Sequence, residues 1–309
     1  MKMTLNIKNR LLTIAVLCCI SIATAQQEAQ YTQYMYNTSL INPAYSGSEE
    51  VFKLSMLHRS QWVGIPGAPT TQTLSLEGML ARRLGASINL SKDVIGPLDE
   101  YTGDVNIAYH IQLTKKGRLA LGLKGGIKKF RLDLTKGNLN DQQGMVTTSS
   151  VTSDTYTTMG AGLYYYTDRT YIGVSTPNLL ESDYQNSDLN VNYNPEKHFF
   201  LIAGTVFDIG TYTRFKPAIL AKAVSGAPLS LDVSANFMFR DKFILGAAYR
   251  LDAAISGLLG IHLSKNLFVG YAYDHTTTID SRYTGGTHEL FLRVKLSKNS
   301  PIYKSPRFF

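Results

Sequence analysis

Long hydrophobic runs are missing from this sequence of 309 residues. Nowhere do about 20 apolar residues follow one another, the length that an α-helix needs to cross a bilayer. Charge is also scarce, since only 17% of the residues are charged, whereas tyrosine and glycine are abundant with 19 and 25 residues. These features exclude a helical membrane protein. Tyrosine is typical of the interfacial girdles of membrane β-barrels, and glycine of tight turns and close strand contacts.

Cysteine is nearly absent, and the only two residues, Cys18 and Cys19, lie within the first 25 positions. That stretch has a basic beginning, a short apolar core and an A-x-A site that ends at Ala25, which is the pattern of a secretory signal peptide. The apolar core is too short to span a membrane comfortably as an anchor. We predict cleavage near Ala25, after which no cysteine remains for disulfides, thiolate chemistry or metal sites.

Acidic residues are fewer than basic ones, which gives a formal net charge of +8. Three of the basic residues belong to the predicted signal peptide, so the mature chain keeps 28 basic and 23 acidic residues, a net charge of about +5. The basic residues form no stripe with interleaved aromatics, the pattern typical of nucleic-acid-binding proteins. We therefore expect no nucleic acid among the partners.

Most of the chain alternates apolar and polar residues with a period of two, which predicts β-strands with one apolar and one polar face. The alternation is clear at 104–113, 229–240 and 289–296. About fourteen such segments, mostly about 8–14 residues long, follow one another between Phe52 and position 297. A soluble β-sandwich also alternates, but its strands are usually shorter, about 5–6 residues.

The predicted connections differ in length on the two sides of the sheet. Those after even-numbered strands are tight turns, whereas those after the fifth, seventh and thirteenth strands are long and polar, including 133–154 and 176–196. Long loops on one side and short periplasmic turns on the other are typical of outer-membrane barrels. We therefore predict an all-β fold, a transmembrane antiparallel up-and-down β-barrel of about 14 strands, in the outer membrane of a Gram-negative bacterium.

The predicted organisation has four parts: a signal peptide at 1–25, an N-terminal segment at 26–48, the barrel at 49–297 and a C-terminal tail at 298–309. Residues 26–48 show neither a strand period nor a helix period. We expect them to plug the lumen or to follow the periplasmic rim. The tail is expected in the periplasm, either as a docking site for a partner or as a solvated end.

Charged residues on the polar face of the predicted strands carry both signs. In a barrel this face lines the lumen, so mixed signs favour internal ion pairs over a single selective ring of charge. The residues are Lys53, Asp104, Lys124, Asp232, Arg250, Arg293 and Lys295.

Residues that could support catalysis are scattered. The six histidines show no metal-binding spacing such as H-E-x-x-H. Asp274 and His275 with Ser281 could form a hydrolase site, but Ser281 lies in a polar loop and no G-x-S-x-G elbow is present. We therefore expect no catalytic residue, no cofactor and no metal, and we do not expect an enzyme.

Four short motifs occur in order along the chain: a Tyr-rich stretch that leads into Asn-Pro-Ala-Tyr-Ser-Gly at 42–47, His-Arg-Ser-Gln-Trp at 58–62, Thr-His-Glu-Leu at 287–290 and Ser-Pro-Arg-Phe-Phe at 305–309. In order and spacing they resemble the PorP/SprF family, outer-membrane proteins of the type IX secretion and gliding machinery of Bacteroidota. The residues that carry the resemblance are Tyr34, Asn42, Pro43, Tyr45, Gly47, Arg59, Gln61, Trp62, His288, Glu289, Pro306, Arg307 and Phe309.

The resemblance implies a non-enzymatic role and makes these residues candidates for partner binding or for structure. A family member of this kind docks or anchors a secreted surface protein, such as an adhesin moved in gliding, and links it to periplasmic machinery. The implied partners are secreted type IX cargo or an adhesin, the translocon, peptidoglycan-associated periplasmic components and outer-membrane lipid. For Trp62, both a buried structural role and a partner contact remain open.

The alternative function is a passive porin-like channel for small solutes. An open lumen would favour the channel, whereas a lumen filled by the N-terminal segment or by loops would favour the docking role.

Overall fold

The computed structural model describes residues 32–133, 151–181, 184–186, 191–193, 196–277 and 284–296, and most of them lie in β-strands. The strands are β1 (Lys53–Ser60), β2 (Thr70–Ala81), β3 (Leu84–Ile95), β4 (Leu98–Gln112), β5 (Arg118–Asp133), β6 (Val151–Tyr166), β7 (Thr170–Glu181), β8 (Tyr184–Asn186), β9 (Val191–Tyr193), β10 (His198–Thr205), β11 (Phe207–Asp208), β12 (Thr213–Val224), β13 (Ser230–Phe239), β14 (Phe243–Arg250), β15 (Ala254–His262), β16 (Leu267–Thr276) and β17 (Thr287–Lys295). Three single-turn 3₁₀ helices precede them, η1 (Tyr34–Tyr36), η2 (Thr38–Leu40) and η3 (Pro43–Tyr45). No helix in this described part of the chain is both long and apolar enough to cross a membrane.

Fourteen of the strands form one closed antiparallel barrel, which confirms the predicted fold and strand number. Each barrel strand pairs with the next one along the chain, and β1 pairs with β17 to close the ring. β8 and β9 form a separate hairpin, and the two-residue β11 extends the ladder of β12. Closure leaves no free sheet edge, so the backbone groups of the strands bond to each other.

The two faces of the strands are reversed relative to a soluble protein. Along β13, Val233 and Phe239 are exposed on the outside, whereas Asp232, Ser234 and Asn236 are buried on the inside. The same alternation places apolar residues outside on the other barrel strands, with Leu123 as much as 69% exposed. An apolar outer face around a polar interior is the arrangement of a transmembrane β-barrel.

The longer connections lie at one end of the barrel, which we call the long-loop end. They follow β1, β5, β7 and β16. At the opposite, short-turn end the connections are 82–83, 113–117, 167–169, 206–212, 240–242 and 263–266. This distribution is the one that the sequence predicted.

Two of the predicted loops are shorter than expected. The loops predicted at 133–154 and 176–196 lose residues to the sheet, because β6 already begins at Val151 and β7 continues to Glu181. The backbone of Val151 still pairs with that of Asp133. The beginning of β6 has a polar composition typical of loops, but a ladder of backbone hydrogen bonds does not require apolar side chains.

Proline interrupts the regular ladder at two places. Opposite Pro177, the pairing of β6 with β7 shifts in register between Met159 and Ala161. Pro217 lies inside β12, and the pairing of β12 with the preceding strand is interrupted beside it, between β10 and β11. Proline has no backbone N–H group to donate, so the ladder cannot be regular at these positions. The barrel accommodates Pro177 by a bulge and Pro217 by a gap in the pairing.

The hydrophobic core lies in the lumen. Residues of η1, η2 and η3 pack against the inner faces of the strands. Tyr34, Tyr36, Ala44 and Tyr45 are all nearly inaccessible to solvent. The hydrophobic core of this protein therefore forms between the inner faces of the strands and a segment of the same chain. In a β-sandwich, by contrast, the core lies between two sheets.

Candidate functional site

Residues 32–50, which we call the lumen segment, run along the inside of the barrel from the long-loop end to the short-turn end. Thr32 contacts Glu289, near the start of β17 at the long-loop end. The Ser39 carbonyl accepts a hydrogen bond from Asn106 in the middle of β4. The Ser46 carbonyl lies 2.9 Å from Nε2 of His110, close to the other end of β4. The segment therefore passes through the lumen before the chain turns back into β1.

The lumen segment has its upper end at the long-loop end of the barrel. Three charged side chains hold this upper end, Arg59, Asp274 and Glu289, which we call the arginine anchor. The two oxygens of Glu289 accept hydrogen bonds from the backbone N–H groups of Thr32 and Gln33, at 3.0 and 2.7 Å. Arg59 donates to Glu289 at 3.0 Å and to Asp274 at 3.1 Å. The Thr32 hydroxyl donates to Asp274 at 2.6 Å. Three barrel strands thus bind this end of the segment, β17 through the segment's backbone and β1 and β16 through the Thr32 hydroxyl.

Polar side chains of the strands bind the middle of the lumen segment. Ser175 donates to the Ile41 carbonyl at 2.7 Å, and the Asn37 amide donates to the Ser75 hydroxyl at 2.8 Å. Asn42 bonds in two directions, since its side-chain oxygen accepts from the Ala44 amide at 3.0 Å and its side-chain nitrogen donates to the Leu163 carbonyl at 3.0 Å. Pairing of this kind offsets the cost of burying polar groups.

Glycines on the inner faces give the lumen segment room. A Cβ atom added to Gly122 would lie 2.1 Å from the Ala44 amide nitrogen, and one added to Gly85 would lie 2.1 Å from the Ser46 carbonyl oxygen. Gly47 has a φ of +78°, a conformation that favours glycine. Glycine at position 122 therefore leaves the space that the backbone of the lumen segment occupies.

Aromatic rings fill the space on both sides of the lumen segment. The ring of Tyr36 lies 4.9 Å from that of Phe268 and 5.4 Å from that of Phe291, measured between centroids. Tyr45 makes an edge contact with Tyr164 at 5.3 Å. Buried aromatic pairs of this kind each contribute about 0.5–1.5 kcal/mol beyond the area that they bury.

A second charged cluster holds the lower end of the lumen segment, which lies at the short-turn end of the barrel. Glu49 accepts from Lys53, which also lies 2.9 Å from Glu77, and Arg293 is 3.9 Å from Glu49. Glu49 thus lies between two positively charged side chains, which offset the cost of burying its carboxylate.

Other inward-facing charges also form pairs of opposite sign, which confirms the predicted internal packing. Lys124 lies 3.2 Å from Asp104, and Arg250 lies 2.9 Å from Asp232. The strand alternation was the signal that located these residues.

Seven of the predicted site residues come together in the lumen, namely Tyr34, Asn42, Pro43, Tyr45, Gly47, Arg59 and Glu289. Gln61 and Trp62 lie in the connection between β1 and β2, where Trp62 is 38% exposed and its backbone N–H donates to the Thr287 hydroxyl. The buried structural role considered for the Trp62 side chain is therefore wrong. His288 points to the outer face, where Nδ1 lies 2.7 Å from the Tyr271 hydroxyl. Pro306, Arg307 and Phe309 lie outside the described residues.

Sequence reasoning did not identify several residues of the site. Thr32 and Gln33 bind Glu289 through their backbone N–H groups, and the Gln33 side chain also donates to the Glu289 carbonyl. They lie in a segment without a regular period, so no alternation could mark them. Glu49 and Glu77 are buried partners of Lys53, and Asp274 was considered only as a member of a hydrolase site. Glu77 and Asp274 occupy inward-facing positions in the two-residue alternation of their strands. That alternation could therefore have identified them as residues of the lumen. What the assembled groups do chemically is to bind a polypeptide, here one from the same chain.

Comparison with known proteins identifies a family. A family profile described as type IX secretion system membrane protein PorP/SprF matches residues 23–294. No curated protein matches the chain. Among solved structures, the toluene transporter TbuX of Ralstonia pickettii has a TM-score of 0.50 at 11% identity, with 90% of this chain and 98% of that chain covered.

Two further barrels are less similar. The outer membrane protein Omp33 of Acinetobacter baumannii has a TM-score of 0.48 at 10% identity, with 80% of this chain and 98% of that chain covered. The toluene transporter TodX of P. putida has a TM-score of 0.46 at 11% identity, with 84% and 92% covered. At such low identity the likeness to TbuX concerns the fold alone.

Proposed function

This chain belongs to the PorP/SprF family of type IX secretion system membrane proteins, and from this premise we propose that it docks a secreted surface protein and couples it to periplasmic machinery. The coarser role, a membrane component of type IX secretion, follows from the family itself. Its place is the bacterial outer membrane, where closed barrels of this kind reside. The docked partner would be type IX cargo or an adhesin.

The observation that best supports docking is the occupied lumen. The lumen segment is bonded to the barrel at its upper end, in its middle and at its lower end. A channel for small solutes gains nothing from an interior packed with buried tyrosines. A scaffold for other proteins gains a rigid wall from it, because the segment ties opposite strands together.

A passive channel remains the second candidate, and the polar lining of the barrel favours it. Paired charges such as Lys124–Asp104 and Arg250–Asp232 would line a water-filled pore if the lumen segment left the interior. The two candidates therefore differ in whether the segment stays in place during function.

The test is affinity purification of the tagged protein from native outer membranes, with mass spectrometry of the proteins that remain bound. We expect a large secreted protein or a peptidoglycan-associated component to be retained. A strain without the gene should in parallel lose that protein from its surface and regain it on complementation. A lone barrel that conducts ions in planar bilayers, in cells whose secretion is unchanged, would contradict docking and favour the channel.

A further inference from the structure

A cavity of about 610 Å³ opens at the short-turn end of the barrel. It lies between the last residue of the lumen segment and the connections β2–β3 and β4–β5. Its polar lining consists of Glu50, Arg82, Arg83, His110, Gln112 and Arg118. Three of these six side chains are arginines, so the cavity is strongly basic.

The arginines differ in what they already bind. Arg118 forms an ion pair with Glu50, and its Nε donates to the Gln112 side chain at 3.0 Å. Arg82 and Arg83 are exposed, and neither makes an ion pair with any described residue. Two guanidinium groups therefore remain available beside one that holds a carboxylate.

Glu50 shows which chemistry suits the cavity. It is the last residue of the lumen segment, and it has a φ of 60°, which is unusual for a residue other than glycine. Its carboxylate reaches Arg118 from this position. The cavity thus binds one carboxylate supplied by the chain itself, and arginine binds carboxylates in a directional, often bidentate geometry.

The surroundings extend the positive charge. The six connections of the short-turn end carry eight basic and three acidic residues, a net charge of +5. A surface of one sign attracts partners of the other sign and speeds their encounter.

We propose that this cavity binds an acidic segment of a partner protein, whose carboxylates contact Arg82 and Arg83 and compete with Glu50 for Arg118. The proposal deepens the docking role and rests on it only for the identity of the partner. A protein segment fits better than a lipid, because the polar lining of the cavity extends from the exposed Arg82 and Arg83 into the interior of the barrel. Its floor is His110, whose side chain is buried in the lumen, whereas lipid surrounds the outer face.

Competition with Glu50 would connect the cavity to the interior. When a partner carboxylate takes Arg118, the end of the lumen segment loses the Glu50–Arg118 ion pair and keeps the one between Glu49 and Lys53. Binding at the short-turn end would thereby loosen the segment that fills the barrel.

The test uses the purified full-length protein in a zwitterionic detergent and a fluorescein-labelled hexaglutamate peptide, with anisotropy as the readout. We expect the double variant Arg82→Gln/Arg83→Gln to bind about tenfold more weakly, because two charged contacts are lost. The matched control, Lys242→Gln/Lys265→Gln, removes the same charge elsewhere on the same face and should cost about threefold or less. Glu50→Gln should bind about threefold more tightly, because Arg118 is released.

Three results would overturn the proposal: no binding of hexaglutamate to the wild type, equal losses in the two double variants, or retention of phosphatidylglycerol that depends on Arg82 and Arg83 without peptide binding. Heat-modifiable migration in gels confirms that each variant is a folded barrel. Peptide binding does not require secreted cargo, so a failed cargo purification with intact peptide binding would count against the docking role alone.

Discussion

At the level of single residues, the charges in the lumen serve two purposes. Arg59, Asp274 and Glu289 have side chains no more than 4% exposed, and such charges are tolerated in an interior only when they are paired. Here the pairs also bind the backbone of Thr32 and Gln33. The residues that neutralise each other are therefore the same ones that hold the lumen segment.

Replacing Glu289 by Gln should destabilise the protein by about 3 kcal/mol, because the buried charge of Arg59 loses one of its two partners. The measurement is urea unfolding in detergent, followed by circular dichroism. The control is Asp208→Asn, which breaks the exposed pair with Arg169 and should cost less than about 1 kcal/mol. Equal stability of the Glu289 variant and the wild type would show that the anchor is not a stabilising contact.

Replacing Gly122 by Ala should also destabilise the protein, by about 1–3 kcal/mol, because the new methyl group would overlap the backbone of Ala44. Gly125 is the matched control on the same strand, since a Cβ atom there meets nothing within 4 Å. We expect Gly125→Ala to stay within about 0.5 kcal/mol of the wild type in the same unfolding measurement. A similar effect at both positions would mean that strand propensity, rather than the lumen segment, decides the result.

At the level of elements, the lumen segment has a structure that no regular period describes. Three 3₁₀ turns follow one another, and the third begins at Pro43 with the Asn42 side chain as its cap. Short turns of this kind are marginal alone. The segment keeps its shape because the strands around it add hydrogen bonds to those within its own turns.

Deletion of residues 26–48, with the signal peptide joined to Glu49, should open the lumen. The polar inner faces would then hold water, and the barrel should conduct ions in planar bilayers at a level clearly above the wild type. A variant in which the same residues are replaced by a Gly/Ser sequence of equal length is expected to conduct as the deletion does, because it lacks the tyrosines and Asn42. If the wild type conducts as strongly as the deletion, the segment does not close the barrel.

At the level of the whole molecule, the apolar outer face and the polar lumen define a transmembrane barrel. Apolar residues of β5 such as Leu119, Leu121, Leu123 and Ile127 all lie on the same outer side. Only a solvent that is itself apolar makes this arrangement stable, because in water the same surface would aggregate.

Leu123→Arg should therefore impair the barrel more than Leu263→Arg does. Leu123 lies near the middle of the apolar stretch of β5, where an arginine costs about 2–4 kcal/mol, whereas Leu263 lies in a connection at the short-turn end, where the cost is about 0–1 kcal/mol. Folding into lipid vesicles over a urea series measures the difference. Equal midpoints for the two variants would argue that Leu123 does not face lipid.

Much of the fold could be predicted because it depends on local patterns. The alternation of β13 assigned Asp232 to the inside and Val233 to the outside, and the tight turns after even-numbered strands predicted the short connections. The beginning of β6 could not be predicted in this way, because there the backbone pairs while most of the side chains are polar. The end of β7 was missed because Pro177 and the register shift beside it break the regular alternation.

The sequence by itself determined the strands, their number, the face that each side chain occupies and the end of the barrel at which the longer loops lie. These properties depend on a two-residue period and on turn chemistry, both of which act over a few neighbouring residues. Only the tertiary structure decided what fills the lumen. The contact between Thr32 and Glu289 joins positions 257 residues apart, and it exists because the whole ring closes in one register. A local pattern shows that a charge points inward, but the partner that it meets is set by the collective closure of all fourteen strands.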